Sequence, residues 1–473
     1  MENHDVCWMS ASDLAGLIRA KKLSPVELVR GLLERIEVIN PKINAYVTVT
    51  ADSAMAAAKE AENAVMRGED LGALHGVPFA VKDVTLTKGV RTTMGSRLME
   101  DFVPEEDAVH VARLKKAGAI MLGKTNTPEF ACKGVTDNLV FGVTRNPWNL
   151  EKVAGGSSGG AAAAVVAGLG PLATGNDVGG SIRMPASCCG AFGIKPQFGR
   201  VPNYPLLYLW ESLLHEGAIT RTVKDAALML DIMAGPHWGD RHSIPLPGVS
   251  FAESLEGGVK GLRIAWSLDL GYATVARQVR DVCEEAVKKF SEMGAEIEEA
   301  SPDYENPEAS FTTIVNTELG AMLSSFGPLD ELKDKLHPFL MARVAPIQKL
   351  TAFDYLRATF IRQEVSAKVG KFFEPYDLLL TPTLGMPAWQ IGLPTGYVEE
   401  VDGKPVSPLG YQLNFPFNIT GQPAASIPAG WTEDGLPVGL QIVGKHYDEA
   451  TVFRAAAALE QVNPWAHKRP PLT

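Results

Sequence analysis

Residues 10–67 read as helix. Ser24-Pro25-Val26-Glu27 sets a capping serine, a first-turn proline and a reaching glutamate in order, an arrangement that satisfies free N–H groups at a helix start. Residues 51–67 are alanine-rich with Lys and Glu along one side, the pattern of a solvated helix face. The character then changes. Gly76-Val-Pro-Phe-Ala-Val-Lys82-Asp83 reads as an apolar strand ending in charge, 108–116 as a helix, 117–122 as an apolar strand and 161–167 as a helix. Alternation of this kind predicts an α/β fold with a large, partly parallel sheet.

A Pro/Gly-rich connector fills 235–258. Beyond it, 262–266 reads as a strand, 278–293 as a helix and 307–371 as mostly amphipathic helix. Strands return at 378–381, 424–428 and 438–443, and the chain finishes on a helix over 449–460. No internal repeat is present. Strands near both ends predict one sheet assembled from distant segments, with the middle helices laid over it.

Composition narrows the field. At 473 residues with 46% apolar content, the chain can bury a sizeable core, as two compact units or one large one. A net charge of -11 argues against a nucleic-acid or anionic-membrane surface, which demands basic patches. The five cysteines are odd in number, lack any C-x-x-C pair and include the adjacent Cys188 and Cys189, so a reduced, cytoplasmic setting is expected. Zinc-ligand spacing is absent. The start of the chain lacks the basic and apolar regions of a signal peptide. The longest apolar tract, 159–174, is broken by Gly168, Gly170 and Pro171. It is too short to span a bilayer and reads as a buried helix.

Two stretches hold most of the chemical information: Gly155-Gly-Ser157-Ser158-Gly-Gly160 and Gly175-Asn-Asp-Val-Gly-Gly-Ser181-Ile-Arg183-Met-Pro185. Glycine at this density lets backbone approach a ligand and frees successive N–H groups to point at one atom. A serine ending such a run is placed to act as a nucleophile, with the N–H groups of Val178, Gly179, Gly180 and Ser181 as an oxyanion hole. A pair of turns with capping serines explains either motif alone. Together with the lysine strand upstream, the two make a stronger case.

These residues resemble the amidase signature family. Gly76-Val-Pro-x-Ala-Val-Lys82-Asp, Leu122-Gly-Lys-Thr-Asn126-x-Pro-Glu-Phe130, Thr144-Arg-Asn-Pro-Trp148, both serine motifs, Cys189-Gly-x-x-Gly-x-Lys-Pro196 and Gly435-Leu-Pro-Val-Gly-Leu-Gln-Ile-Val-Gly444 all match its core segments, in order. The resemblance implies one large α/β/α unit with a mixed, twisted central sheet. Within it, 1–67 is an N-terminal helical segment, 68–235 the catalytic core, 236–371 a variable substrate-cavity region and 372–473 the return to the sheet. It implies Ser181 as nucleophile, Ser157 as bridging serine, Lys82 as base, and a cis peptide between Gly156 and Ser157. No cofactor or metal is implied, and a homodimer is left open.

Lysine serves as a base only when neutral, so burial must lower its pKa by several units. The apolar run before Lys82 fits such burial, and strand alternation turns Asp83 to the opposite face. In the expected scheme Lys82 takes a proton from Ser157, which takes one from Ser181 as that oxygen attacks the carbonyl. The substrate is then a small amide or carbamate, aryl or alkyl amides foremost. The apolar, aromatic segment Val201-Pro-Asn-Tyr204-Pro-Leu-Leu-Tyr208-Leu-Trp210 favours a hydrophobic one if part of it lines the cavity.

Three other readings compete for the same residues. Gly118-Ala-Ile-Met-Leu-Gly-Lys124-Thr125 fits the nucleotide-binding P-loop by letter, but its variable residues read as a buried strand rather than a loop. Gly155-Gly-Ser157-Ser158-Gly159 fits a hydrolase nucleophile elbow, which needs an apolar strand before it, and Asn149-Leu-Glu-Lys152 is not one. His215, His242, His337 and His446 follow with no pattern marking any as catalytic. The third is the glutamine-hydrolysing subunit of a tRNA-dependent amidotransferase, which belongs to the same family. Met184 stands where that subunit carries glutamine, and Asn176 replaces its usual threonine or serine.

Overall fold

The computed structural model describes residues 6–206 and 210–472. In the N-terminal half the strands are β1 (Tyr46–Val49), β2 (Pro78–Lys82), β3 (Ile120–Thr125), β4 (Arg145–Asn146), β5 (Asn149–Val153), β6 (Leu172–Asp177), β7 (Phe192–Lys195) and β8 (His215–Thr220). In the C-terminal half they are β9 (Arg263–Trp266), β10 (Glu296–Glu299), β11 (Leu378–Pro382), β12 (Glu400–Val401), β13 (Lys404–Pro405), β14 (Ala424–Trp431) and β15 (Pro437–Gly444). Eleven of them form one mixed sheet in the order β1-β3-β2-β6-β8-β7-β14-β15-β11-β9-β10. Strand β2 runs parallel to both β3 and β6, whereas β6, β8, β7, β14, β15 and β11 alternate in direction. The sheet is thus assembled from distant segments and flanked by helices, as the alternating pattern predicts.

Two packed pairs of helices cover the central strands. Gly159–Val166 lies with Arg183–Cys189, and Val223–Met233 with Glu449–Val462. Gly159–Val166 is buried along its whole length, which suits its small residues: a helix of Gly, Ala and Val lets neighbouring backbone close in on every side. The middle helices, Glu308–Ser324, Pro338–Val344 and Ala352–Phe372, gather Phe311, Ile314, Leu323, Leu340 and Val365 into a second apolar cluster. That cluster includes Leu86, Phe130, Val178 and Phe415 from the sheet side, so the variable region roofs the carboxyl ends of β2 and β6.

Several sequence readings shift. The helical N-terminal segment is three helices, Ala11–Arg19, Pro25–Ile43 and Ala51–Arg67, with β1 between the last two. Ser24 caps its helix by accepting from the N–H groups of Val26 and Glu27, but its own hydroxyl donates to Glu62 at 2.5 Å. The apolar tract 159–174 is helix only to Val166. Gly168, at φ 69°, turns the chain, and Leu172 opens β6. The strand expected over 117–122 lies over Ile120–Thr125. That places Lys124 of the P-loop-like run inside a sheet, where its amine donates to Thr87 and Thr92 at 3.0 Å each and to the Thr85 carbonyl. Residues 149–153 do form a strand, but it lies outside the main sheet, pairing with β4 and bridging from Lys152 to Gln390 in a mostly exposed ribbon. All five cysteines are buried, and Cys132, Cys188, Cys189 and Cys283 are free thiols. No helix among the described residues is long and apolar enough to cross a membrane.

Candidate active site

Lys82 is the last residue of β2, and every residue of that strand is buried. Its amine donates to the Ser157 hydroxyl at 2.7 Å and to the Asn176 side-chain oxygen at 2.5 Å. Ser157 sits in the turn before Gly159–Val166, behind a cis Gly156–Ser157 peptide. Asn176 and Asp177 end β6, two strands' carboxyl ends meeting where open α/β sheets place their ligands. Lys82 and Ser157 are both fully buried. Burial pushes the Lys82 amine down to about 7, against the opposing pull of Glu216 and Asp177. Asp83 turns away from it, as strand alternation requires, and accepts from the Thr93 N–H at 3.1 Å and the Thr93 hydroxyl at 2.5 Å.

Ser181 closes the glycine-rich loop after β6. It is half-buried and borders a cleft of about 410 Å³, together with Val178, Gly179, Met184, Trp210, Phe311 and Arg343. The Ser158 N–H donates to the Ser181 carbonyl at 3.1 Å, tying the two serine motifs together. Among the described residues, hydrogen bonds link Lys82 to Ser157, and none links Ser157 to Ser181.

The loop between β6 and Ser181 is held from beneath by Asp177. Its carboxylate accepts from the N–H of Gly180 at 2.6 Å and of Ile182 at 3.1 Å, and from Arg183 at 3.0 and 2.9 Å. Asn418 donates to it at 2.8 Å. Arg183, itself fully buried, also donates to the Asn414 carbonyl, Gln441 and Asn418. Burial alone would raise the Asp177 carboxyl, but the Arg183 guanidinium beside it holds it far below the usual carboxylate range. Gly180, at φ 117°, needs its glycine because a Cβ there would meet Asn414 at 2.7 Å.

This anchoring corrects the expected oxyanion hole at one position. The Gly180 N–H is committed to Asp177, so it braces the loop from behind. The N–H groups of Val178, Gly179 and Ser181 have no such acceptor among the described residues.

Sequence reasoning missed several residues here. Glu216 lies on β8 directly opposite Asn176, and burial raises its carboxyl to about 8 despite the nearby Lys82. His110 and Glu216 approach to 3.7 Å in a second cavity beside Asn176. Arg343 comes from the variable helices to the Ser181 cleft, donating to Asn316 at 2.5 Å and to the Cys132 carbonyl. Of the downstream histidines, His215 is buried, with Nδ1 2.7 Å from the Leu213 carbonyl and its ring edge-on to Phe198. In the aromatic segment, Tyr204, Leu206 and Trp210 line the second cavity, while Tyr208 lies outside the described residues.

The strand ends, the buried lysine and the two serine loops together define an amidase-type hydrolase, and the comparisons agree. The chain belongs to the amidase signature family, whose model, "Amidase", matches residues 27–453. It is 40% identical to an acylamidase of Rhodococcus erythropolis, over 99% of this chain and 98% of that protein. It is 39% identical to a glutamyl-tRNA(Gln) amidotransferase subunit of Moorella thermoacetica, over 99% of each. A bacterial aryl acylamidase of the amidase signature family superposes with a TM-score of 0.91 at 32% identity, over 97% of each chain.

Proposed function

We propose that this amidohydrolase cleaves the C–N bond of neutral, largely apolar amides, aryl amides foremost, through an acyl-enzyme on Ser181. Ser157 and Lys82 act as the proton relay. The observation that carries the reading is the 2.7 Å contact between a wholly buried Lys82 amine and Ser157, beside a cleft that Ser181 borders. A serine hydroxyl is a weak nucleophile at neutral pH and needs a base within hydrogen-bond reach. An amine held down to about 7 is matched to that task.

The Ser181 oxygen attacks the carbonyl and passes its proton to Ser157, whose own proton goes to Lys82. The Ser157–Ser181 hydrogen bond forms as substrate enters, since catalytic contacts tighten in the substrate complex. The N–H groups of Val178, Gly179 and Ser181 hold the developing oxyanion. As the C–N bond breaks, Ser157 gives a proton to the nitrogen and is reprotonated by Lys82. Water then attacks the acyl carbonyl, releasing the acid and restoring Ser181. Carbamates and esters present the same carbonyl and fall within the same chemistry. The apolar and aromatic lining contributed by Phe130, Tyr204, Leu206, Trp210 and Phe311 supports a hydrophobic substrate.

The test is release of para-nitroaniline from acyl and carbamoyl anilides by wild type and Ser181→Ala. The expected result is turnover by wild type and a loss of at least about a thousandfold in the variant. Undiminished turnover by Ser181→Ala would sink the scheme. A second reading, glutamine hydrolysis on behalf of a protein partner, draws on the likeness to the Moorella thermoacetica amidotransferase chain. Glutaminase activity gained on adding such a partner, with no anilide turned over, would replace the first reading with it.

A further inference from the structure

Beside Asn176 and Glu216 lies a second cavity, open in part to solvent. It shares Ala131 and Trp210 with the Ser181 cleft, and Asn176, the acceptor for Lys82, forms part of its wall. Most of its lining is apolar, including Leu86, Met94, Phe130 and Leu206. Yet four of its residues carry buried polar atoms with no partner among the described residues: Thr85 Oγ1, both ring nitrogens of His110, Asn203 Oδ1 and Glu216 Oε2. The side chains of Thr85, His110 and Glu216 are each more than nine-tenths buried. His110 Nε2 and Glu216 Oε2 stand 3.7 Å apart, too far for a hydrogen bond. Buried polar groups in folded proteins are nearly always paired, so a cluster of orphans in one cavity calls for a partner from outside.

We propose that this cavity is a recognition subsite for a second, uncharged amide-type group on the substrate, one that offers both a carbonyl and an N–H. The inference rests on the amide-hydrolysis reading and narrows its substrate class. Burial keeps the His110 imidazole neutral, its pKa down near 3, and holds the Glu216 carboxyl up at about 8. A neutral imidazole has one donor and one acceptor, a protonated carboxyl has a donor beside its acceptors, and a threonine hydroxyl has both. An ammonium or carboxylate would meet no counter-charge from them. A plain alkyl or aryl end would leave every one unpaired, whereas an amide or urea satisfies donors and acceptors together.

The experiment compares two matched pairs of substrates. One pair varies the acyl side, succinamoyl against isohexanoyl para-nitroanilide. The other varies the amine side, N-acetyl para-aminobenzamide against N-acetyl para-isopropylaniline. In each pair a carboxamide replaces an isopropyl group of nearly the same shape. Wild type should favour the carboxamide in at least one pair by about tenfold or more in kcat/KM, since a site built to hydrogen-bond a group rejects the analogue lacking it. His110→Leu and Thr85→Val should each shrink that ratio severalfold. Equal rates within both pairs, or preference for isopropyl, would overturn the subsite while leaving amide hydrolysis standing. If none of the four is hydrolysed, the hydrolysis reading fails. Calorimetric titration of wild type with para-aminobenzamide and para-isopropylaniline then decides the subsite, tighter binding of the former upholding it and no difference ending it.

Discussion

At the scale of single residues, the reactivity of the site is set by how Lys82 is surrounded. A lysine at a solvated strand end would be protonated at neutral pH and useless as a base. Here burial lowers its amine to about 7, while the Glu216 and Asp177 carboxyl groups pull the other way. The neutral amine is the active form, so activity should rise as pH climbs through about 7 and fall away below it. A kcat/KM profile from pH 5 to 9 checks this, and a flat profile across 7 would contradict it. Lys82→Arg should cost about a hundredfold to ten-thousandfold at every pH, because a guanidinium does not give up its proton. Restored activity at high pH in that variant would argue for another base.

At the scale of elements, the loop from β6 into Arg183–Cys189 works because a buried ion pair holds it. Asp177 gathers the Gly180 and Ile182 N–H groups, Arg183 and Asn418, and Arg183 reaches on to Asn414 and Gln441 on the far side of the chain. Removing one member of such a pair strands the other charge without water. Asp177→Asn should therefore destabilise the protein by about 3–5 kcal/mol, read as a lower urea midpoint, and lower turnover as the loop loses its brace. A loss under about 1 kcal/mol would show that the pair is dispensable.

The same element shows what the sequence could and could not tell. Lys82, Ser157 and Ser181 stood out as candidates because each sits in a short run whose composition is strange for ordinary core: glycine beside serine, or lysine after five apolar residues. The Gly180 N–H was assigned to the oxyanion hole because a glycine run does not reveal which amides turn inward. Asp177 decides that, through a bond three residues away.

Across the whole molecule, the alternating strands and helices read correctly as an α/β sheet built from both ends of the chain, and β2, β11, β14 and β15 fall where the apolar runs lie. Short or polar strands were lost: β1 is four residues between two long helices, and β5 is mostly exposed. The second cavity was illegible for a different reason. Thr85, His110, Asn203 and Glu216 come from four separate segments, and only the stretch holding Asn203 stood out in the sequence, for its aromatic residues rather than for its asparagine. Only the packing of β8 beside β6, with the helix Val109–Lys116 nearby, brings them together.

The central claim, a covalent intermediate on Ser181, is tested most directly by mass spectrometry of enzyme quenched during turnover of an acyl anilide. The account predicts a mass gain equal to the acyl group, mapped by proteolysis to the peptide containing Ser181 and absent from Ser181→Ala. An adduct on Ser157 instead, or steady hydrolysis with no adduct under conditions where deacylation is slowed, would contradict it.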